Sequence, residues 1–238
     1  MTILRPGQCQ VYWADPADEQ PWHQRLLSEG ERARRESLRR PEDRARQTVA
    51  AALLRLLAGR HLGEKPADVR VERACTDCAI PHGRPTVLGG PDVSVSHSGD
   101  RIAVVLSLAG PVGVDVEQAQ PQRDILGVAR LALCEAELAA SAPLDRDGFY
   151  TYWTRKESVL KATGDGLRVA MTKIEVSAPV QAPRLHRFDG RPDVVEAARM
   201  FTLAAGAGYQ AALTVLGTPS AVTEHDASEL LRHQAEGL

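Results

Sequence analysis

The chain has 238 residues, 43% hydrophobic and 25% charged, enough to bury a full core without disulfide or metal staples. A net charge of -2 argues against a general nucleic-acid binder, which carries a basic domain. No apolar run reaches the roughly 18 residues of a membrane span, and Met1 to Gly7 lacks the charged-then-apolar pattern of a signal peptide, so a cytoplasmic chain with reduced thiols is expected.

In chain order, Val11 to Ala14 reads as a first strand. Ser28 to Arg60 reads as helix, divided at Pro41, because proline breaks a helix interior and suits a helix start. Glu64 to Pro91 reads as loop. Asp92 to His97 alternates as a strand, Ser98-Gly99-Asp100 turns, and strands follow at Arg101 to Leu108 and Val112 to Glu117. Ile125 to Ala140 reads as one helix and Phe149 to Thr163 as a better one, ended by Gly164. Lys173 to Val176 is a strand, Phe201 to Leu216 a hairpin, and the residues beyond Thr218 a loose polar tail. Helix and β structure occur twice in succession, which permits two similar halves.

Three segments bear chemistry. In Val112-Gly113-Val114-Asp115-Val116-Glu117, side chains two apart share a strand face, so Asp115 and Glu117 point together. Paired carboxylates repel unless a proton or cation sits between them, and hard oxygen ligands favour Mg²⁺. The plainer alternative is a solvated acidic strand edge. In Phe149 to Ala162, Trp153, Glu157 and Lys161 lie at i, i+4 and i+8 on one helix face. This reads either as a surface Glu-Lys pair beside a core Trp, or as a third carboxylate for a metal and a lysine for a phosphate. In Val93 to Ser98, Ser96 and His97 end a strand before a glycine turn, where they either stabilise the turn or hold a phosphate.

Together these segments resemble the Sfp-type 4'-phosphopantetheinyl transferases, whose (V)G-[IV]-D-[IV]-E strand, upstream S-H-S and W-[TS]-x-K-E-[AS]-x-x-K helix correspond to Gly113 to Glu117, Ser96-His97-Ser98 and Trp153 to Lys161. The resemblance runs from about Gly83 to Val176, with weaker echoes in Arg32 to Arg55. It implies an α/β (α+β) fold of two pseudo-twofold halves with the cofactor cleft between them. Residues 1-110 would form the half contacting the coenzyme A 3'-phosphate, 111-218 the half for Mg²⁺ and carrier docking, and 219-238 the tail. It implies transfer of 4'-phosphopantetheine from coenzyme A to a serine of an apo acyl or peptidyl carrier protein, by a monomer. Asp115, Glu117 and Glu157 would hold Mg²⁺, and Glu157 or a metal-bound water would be the base. Lys161 would contact the pyrophosphate. Ser96 and His97 would bind the phosphates of coenzyme A, with His97 reaching the 3'-phosphate. Arg84, in Gly83-Arg84-Pro85, would contact the nucleotide end. Arg34 and Arg46 align best with the basic residues with which the family binds the 3'-phosphate, although the charges of this region also read as a solvated, salt-bridged helix. Glu137, with Glu135 as its rival, would be a further acidic position near the metal. Carrier contact is expected just after the Lys161 helix, at Thr163 to Lys173, where Leu167, Val169 and Met171 alternate with polar or small residues.

The residues admit two other classes: a Mg²⁺-dependent phosphohydrolase using the same carboxylates with water, and a non-catalytic coenzyme A or carrier-binding protein. Cys75-Thr76-Asp77-Cys78 with His82 offers a single C-x-x-C, short of a four-ligand zinc site, and reads as loop.

Overall fold

A computed structural model describes residues 4–74, 83–119, 124–141 and 143–233, with the backbone alone at Leu167. Cys75, Cys78 and His82 lie outside the described residues. Strand β1 (Gln8–Ala14) leads through two 3-10 turns, Pro16–Asp18 and Pro21–Leu26, to α1 (Glu29–Ser37) and α2 (Pro41–Leu62). Short strands β2 (Val71–Glu72) and β3 (Thr86–Val87) precede β4 (Asp92–Ser98), β5 (Arg101–Ser107) and β6 (Val112–Gln118). Helices α3 (Ile125–Ala132), α4 (Glu135–Ala140) and α5 (Arg146–Thr163) follow, then 3-10 turns at Gly166–Arg168 and Met171–Lys173. The chain continues through β7 (Ile174–Val176), β8 (Leu185–Phe188), α6 (Pro192–Ala197), β9 (Ala198–Thr202), β10 (Tyr209–Leu216), β11 (Ala221–Asp226) and α7 (Ser228–Arg232). No described helix is long and apolar enough to cross a membrane.

The chain divides into two compact units, Met1–Leu108 with Ala221–Leu238, and Ala109–Ser220. In the first, a sheet of order β11-β1-β5-β4 carries α2. Pro41 opens α2 at its first turn, and Gly63, at φ +72, supplies the left-handed residue that closes it. Val49, Leu53 and Leu56 of α2 share a core with Tyr12, Val93, Ile102, Val104 and Leu106 of the sheet. In the second unit a sheet of order β6-β10-β9 carries α5, beside the β7-β8 pair. Asp145 caps α5 by accepting from the Gly148 N–H at 2.7 Å, and Gly164, at φ +77, ends it. Phe149, Tyr150, Tyr152 and Leu160 pack with Ile174, Val176, Leu185 and Phe188. The fold class is the expected mixture of α and β, with one long helix laid on a mainly antiparallel sheet in each unit.

Three expectations need correction. The described residues after Thr218, through 233, are no loose tail: β11 pairs in parallel with β1, the Ala227 N–H donates to the Trp13 carbonyl, and Leu231 of α7 is fully buried. The stretch from Ile125 to Ala140 is two helices. The Cys134 N–H donates to Glu137 Oε2 at 2.9 Å, and this side-chain cap starts a new helix there. Within Glu64 to Pro91, Val71–Glu72 and Thr86–Val87 form a short antiparallel ladder. The elements β8 and α6, which the sequence reading passed over, fill the stretch before β9.

Candidate active site

Strand β6 alternates as its pattern requires. Val112, Val114 and Val116 are sealed in the interior, and Gly113, Asp115 and Glu117 take the other face. Gly113 is where α5 comes closest. A Cβ there would lie 2.0 Å from the Ser158 carbonyl oxygen, 2.4 Å from the Ala162 nitrogen and 3.0 Å from the Lys161 carbonyl carbon. Only a residue without a side chain lets the last turns of α5 rest on β6 at that distance. The consequence two residues along the strand is that Lys161 Nζ meets Asp115 Oδ1 at 2.7 Å, with Asp115 almost wholly buried.

Glu157, one turn back from Lys161, joins the same group. Burial, and then the Asp115 charge, push its carboxyl up to about 7, with Glu117 adding to the effect and Lys161 opposing it. Asp115 and Glu117 both raise the Glu157 carboxyl, so the three carboxylates are close enough to repel. Among the described residues, no three His, Cys, Asp or Glu side chains already form a group that could hold a metal. Magnesium does not require one, because it is ordinarily held by one or two carboxylates together with waters and substrate phosphates. An oxygen-only donor set fits that requirement.

Trp153, Glu157 and Lys161 form a half-buried stripe on a helix otherwise deeply buried, and Trp153 packs against Phe149 with ring centroids 5.9 Å apart. The residues between them are the ones the sequence did not reveal. Arg155 Nη1 donates to the carbonyls of Ser177 (2.7 Å) and Ala178 (2.8 Å), and its Nη2 to that of Gln181 (3.0 Å), which clamps the β7-β8 connection. Lys156 is fully buried and pairs with Glu137 at 2.5 Å. Ser158 Oγ bonds Thr214 Oγ1 of β10 at 2.7 Å. The available signal was an Arg-Lys pair inside a helix whose neighbours are aromatic and aliphatic.

Glu137 was expected near the metal. It lies instead in a buried pair: its Oε2 meets Lys156 and the Cys134 N–H, and its Oε1 accepts from the Val176 N–H at 2.9 Å. A carboxylate with both oxygens so engaged is a poor cation ligand. Glu135, its rival, is exposed.

The first unit holds the other candidates. Ser96 is buried and His97 exposed near the end of β4. Arg46 Nη1 donates to the Gly99 carbonyl at 2.7 Å, in the turn after Ser98, and its Nη2 pairs with Asp43. Arg46 and the Ser96-His97-Ser98 turn are thus brought together. Arg84 pairs with Asp92 at 2.9 Å, at the opposite end of β4. Five residues of strand, roughly 16 Å, separate Asp92 from His97, so Arg84 and His97 can meet only different parts of one extended ligand. Arg34 is exposed on α1, near the Arg55–Glu31 pair (2.9 Å) and half-buried Arg73, whose guanidinium is pushed down by burial, with Glu31 opposing and Arg34 and Arg55 adding to the effect. In the expected docking loop, Met171 is buried and Val169 packs on the core, while Arg168 curls back to donate to the Asp165 and Gly164 carbonyls. Two of the three alternating apolar residues therefore cover the interior, and the Leu167 side chain lies outside the described residues.

Residues 111–214 match the 4'-phosphopantetheinyl transferase superfamily (ACPS). The chain is 31% identical over 183 residues to the 4'-phosphopantetheinyl transferase HetI of Nostoc sp., covering 70% of this chain and 74% of that protein. It is 30% identical over 179 residues to the 4'-phosphopantetheinyl transferase ffp of Bacillus subtilis, covering 71% and 72%. It is 26% identical over 193 residues to the 4'-phosphopantetheinyl transferase Sfp of Bacillus subtilis strain 168, covering 77% and 78%.

Proposed function

We propose that this chain, which belongs to the 4'-phosphopantetheinyl transferase superfamily, moves the 4'-phosphopantetheine group of coenzyme A onto a serine of an apo acyl or peptidyl carrier protein. The reaction would depend on Mg²⁺ and release adenosine 3',5'-bisphosphate. The reading carries with it a monomeric, cytoplasmic enzyme with no nucleic-acid partner. The observation that carries it is the convergence of Asp115, Glu117, Glu157 and Lys161 on one patch of β6 and α5.

The geometry of this patch supports the following division of labour. Asp115, Glu117 and Glu157 would hold the cation, which would neutralise charge that develops on phosphoryl oxygens. Asp115 fixes the Lys161 ammonium by their 2.7 Å contact, so that the lysine faces the pyrophosphate as a positioned charge. Glu157, whose carboxyl is pushed up to about 7 by burial and the Asp115 charge in the cation-free protein, or else a metal-bound water, would take the proton of the incoming serine hydroxyl. The nucleophile comes with the partner protein, so no activated serine or cysteine of this chain is needed. Arg34, Arg46, Ser96 and His97 are assigned to the phosphates of coenzyme A, with His97 at the 3'-phosphate, and Arg84 to the nucleotide end.

Incubation with coenzyme A and a panel of apo-carrier proteins, read by intact mass, tests this directly. The expected result is one phosphopantetheine added per carrier and an equal amount of adenosine 3',5'-bisphosphate. Free phosphopantetheine with unmodified carrier would mean a phosphohydrolase and would overturn the reading, as would binding with no product. The 3'-phosphate assignment predicts dephospho-coenzyme A to bind roughly 10- to 150-fold more weakly than coenzyme A. His97→Ala and Arg84→Ala should each shrink that difference.

A further inference from the structure

We propose that the buried Lys156–Glu137 pair is a positioning device for the carboxylate site, fixing the rotation of α5 so that Glu157 faces Asp115. The inference rests on the cation-holding role proposed above for Asp115, Glu117 and Glu157.

Lys156 has no solvent exposure and Glu137 has 2%. The ammonium is saturated: it donates to the Ala132 carbonyl at 2.7 Å, to the Met171 carbonyl at 3.0 Å, and to Glu137 at 2.5 Å. Glu137 accepts in turn from the backbone N–H groups of Cys134 and Val176. One charge pair thus ties α5 to the end of α3, the start of α4, the 3-10 turn at Met171–Lys173, and β7. An apolar pair of similar volume would hold the same core at least as well, because desolvating two charges offsets most of their attraction. What a saturated hydrogen-bonded hub provides beyond cohesion is direction.

Direction matters because of the next residue. Successive helix residues point about 100° apart, so a small turn of α5 about its axis would carry Glu157 away from Asp115. Arg155, Lys156 and Ser158 all make fixed polar contacts, to the β7-β8 connection, to Glu137 and to Thr214. The residue between Lys156 and Ser158 is Glu157. Three anchored neighbours fix the direction of its Cα–Cβ bond, toward the carboxylates of β6. Lys156 and Glu137 are positioning residues in this account and touch no substrate.

The test measures Mn²⁺ affinity by electron paramagnetic resonance in the presence of saturating coenzyme A, with coenzyme A alone as the blank, alongside kcat and the KM for carrier. Glu137→Asp keeps the charge and shortens the arm by one methylene. The double variant Glu137→Gln/Lys156→Met removes both charges and nearly keeps the volume. Val194→Ala, in the same core on α6, is the control for lost stability alone. The wild type should bind one Mn²⁺ per chain. Glu137→Asp should weaken binding about threefold and the folded double variant at least tenfold. In both, kcat should fall in parallel and the carrier KM should stay within about twofold, while Val194→Ala leaves Mn²⁺ affinity unchanged. If the double variant does not fold, Glu137→Asp decides. Wild-type Mn²⁺ affinity in either folded pair variant would overturn the proposal. So would an equal loss in Val194→Ala at a matched fall in Tm. A wild type that bound no Mn²⁺ would instead remove the underlying reading of the site.

Discussion

Helices α2 and α5 are 22 and 18 residues long and both are deeply buried, but by different chemistry. The buried run of α2, Thr48 to Gly59, is apolar apart from Thr48 and Arg55. That of α5 includes Thr154, Arg155, Lys156 and Ser158 among its aromatics and aliphatics. Apolar burial stabilises by roughly 25 cal/mol per Å² and does not depend on direction. Hydrogen-bonded burial contributes only about 0.5–1.5 kcal/mol per bond but fixes orientation, and it is costly when half broken. Helix α2 therefore supports a core, whereas α5 supports a core and also aims two side chains at β6.

Breaking the helix–strand contact should produce the largest effect. Gly113→Ala places a Cβ 2.0 Å from the Ser158 carbonyl, against backbone that cannot step aside. A loss of about 3 kcal/mol or more is expected, with α5 pushed off β6. Calorimetry reads the loss, and the accompanying collapse of activity should exceed what the stability change accounts for. A larger apolar addition on α2, Ala52→Val, should cost stability and leave the activity of the folded fraction intact.

The second effect has the opposite sign. Burial and like charge disfavour ionised Glu157 in the cation-free protein. Glu157→Gln should therefore raise cation-free stability at pH 8, by on the order of 1–2 kcal/mol, while abolishing turnover. A melting curve in chelator checks the first half. Lower stability of the variant would show that Glu157 is held by contacts outweighing the repulsion.

The smallest effect lies in the first unit, at His23. Its ring is fully buried, with Nδ1 accepting from the Gln20 N–H at 3.1 Å and Nε2 donating to the Leu231 carbonyl at 3.0 Å. Burial pushes its pKa down, with the Leu231 bond, Glu19 and Asp18 opposing. The folded state then binds its proton less readily than the unfolded one. The stability contributed by His23 is present in full above about pH 6.5 and is lost as pH falls through the lowered value. His23→Gln should flatten that part of the Tm–pH curve, at a cost of about 1–2 kcal/mol at neutral pH. An unchanged curve would assign the acid sensitivity to another group.

The contrast also explains how much could be read from the sequence. Alternation in Val112 to Glu117 and the i, i+4 spacing of Glu157 and Lys161 carried the carboxylate group, since each is a local period with a chemical exception on it. The turn at Gly99 and the stop at Gly164 were legible for the same reason. The Lys156–Glu137 pair was not, because its partners stand 19 residues apart and no period links them. Glu137 instead invited a role near the metal. The break at Cys134 depends on one side-chain bond to a backbone N–H. The closing strand β11 is a polar edge strand: Thr223 and Glu224 are exposed, and Glu224 accepts from the Trp13 indole at 2.8 Å. Polarity on an edge strand discourages unwanted pairing, and along the chain it reads as tail.

The central claim is that the carboxylates joined by β6 and α5 hold the cation on which transfer depends. Its most direct test is the initial rate of carrier modification against free Mg²⁺, for the wild type and for Asp115→Ala. The account predicts a saturable Mg²⁺ requirement in the wild type. It predicts a roughly 100- to 1,000-fold lower rate in a folded Asp115→Ala protein, not restored by coenzyme A excess. Near-normal turnover of Asp115→Ala at limiting Mg²⁺ would contradict it.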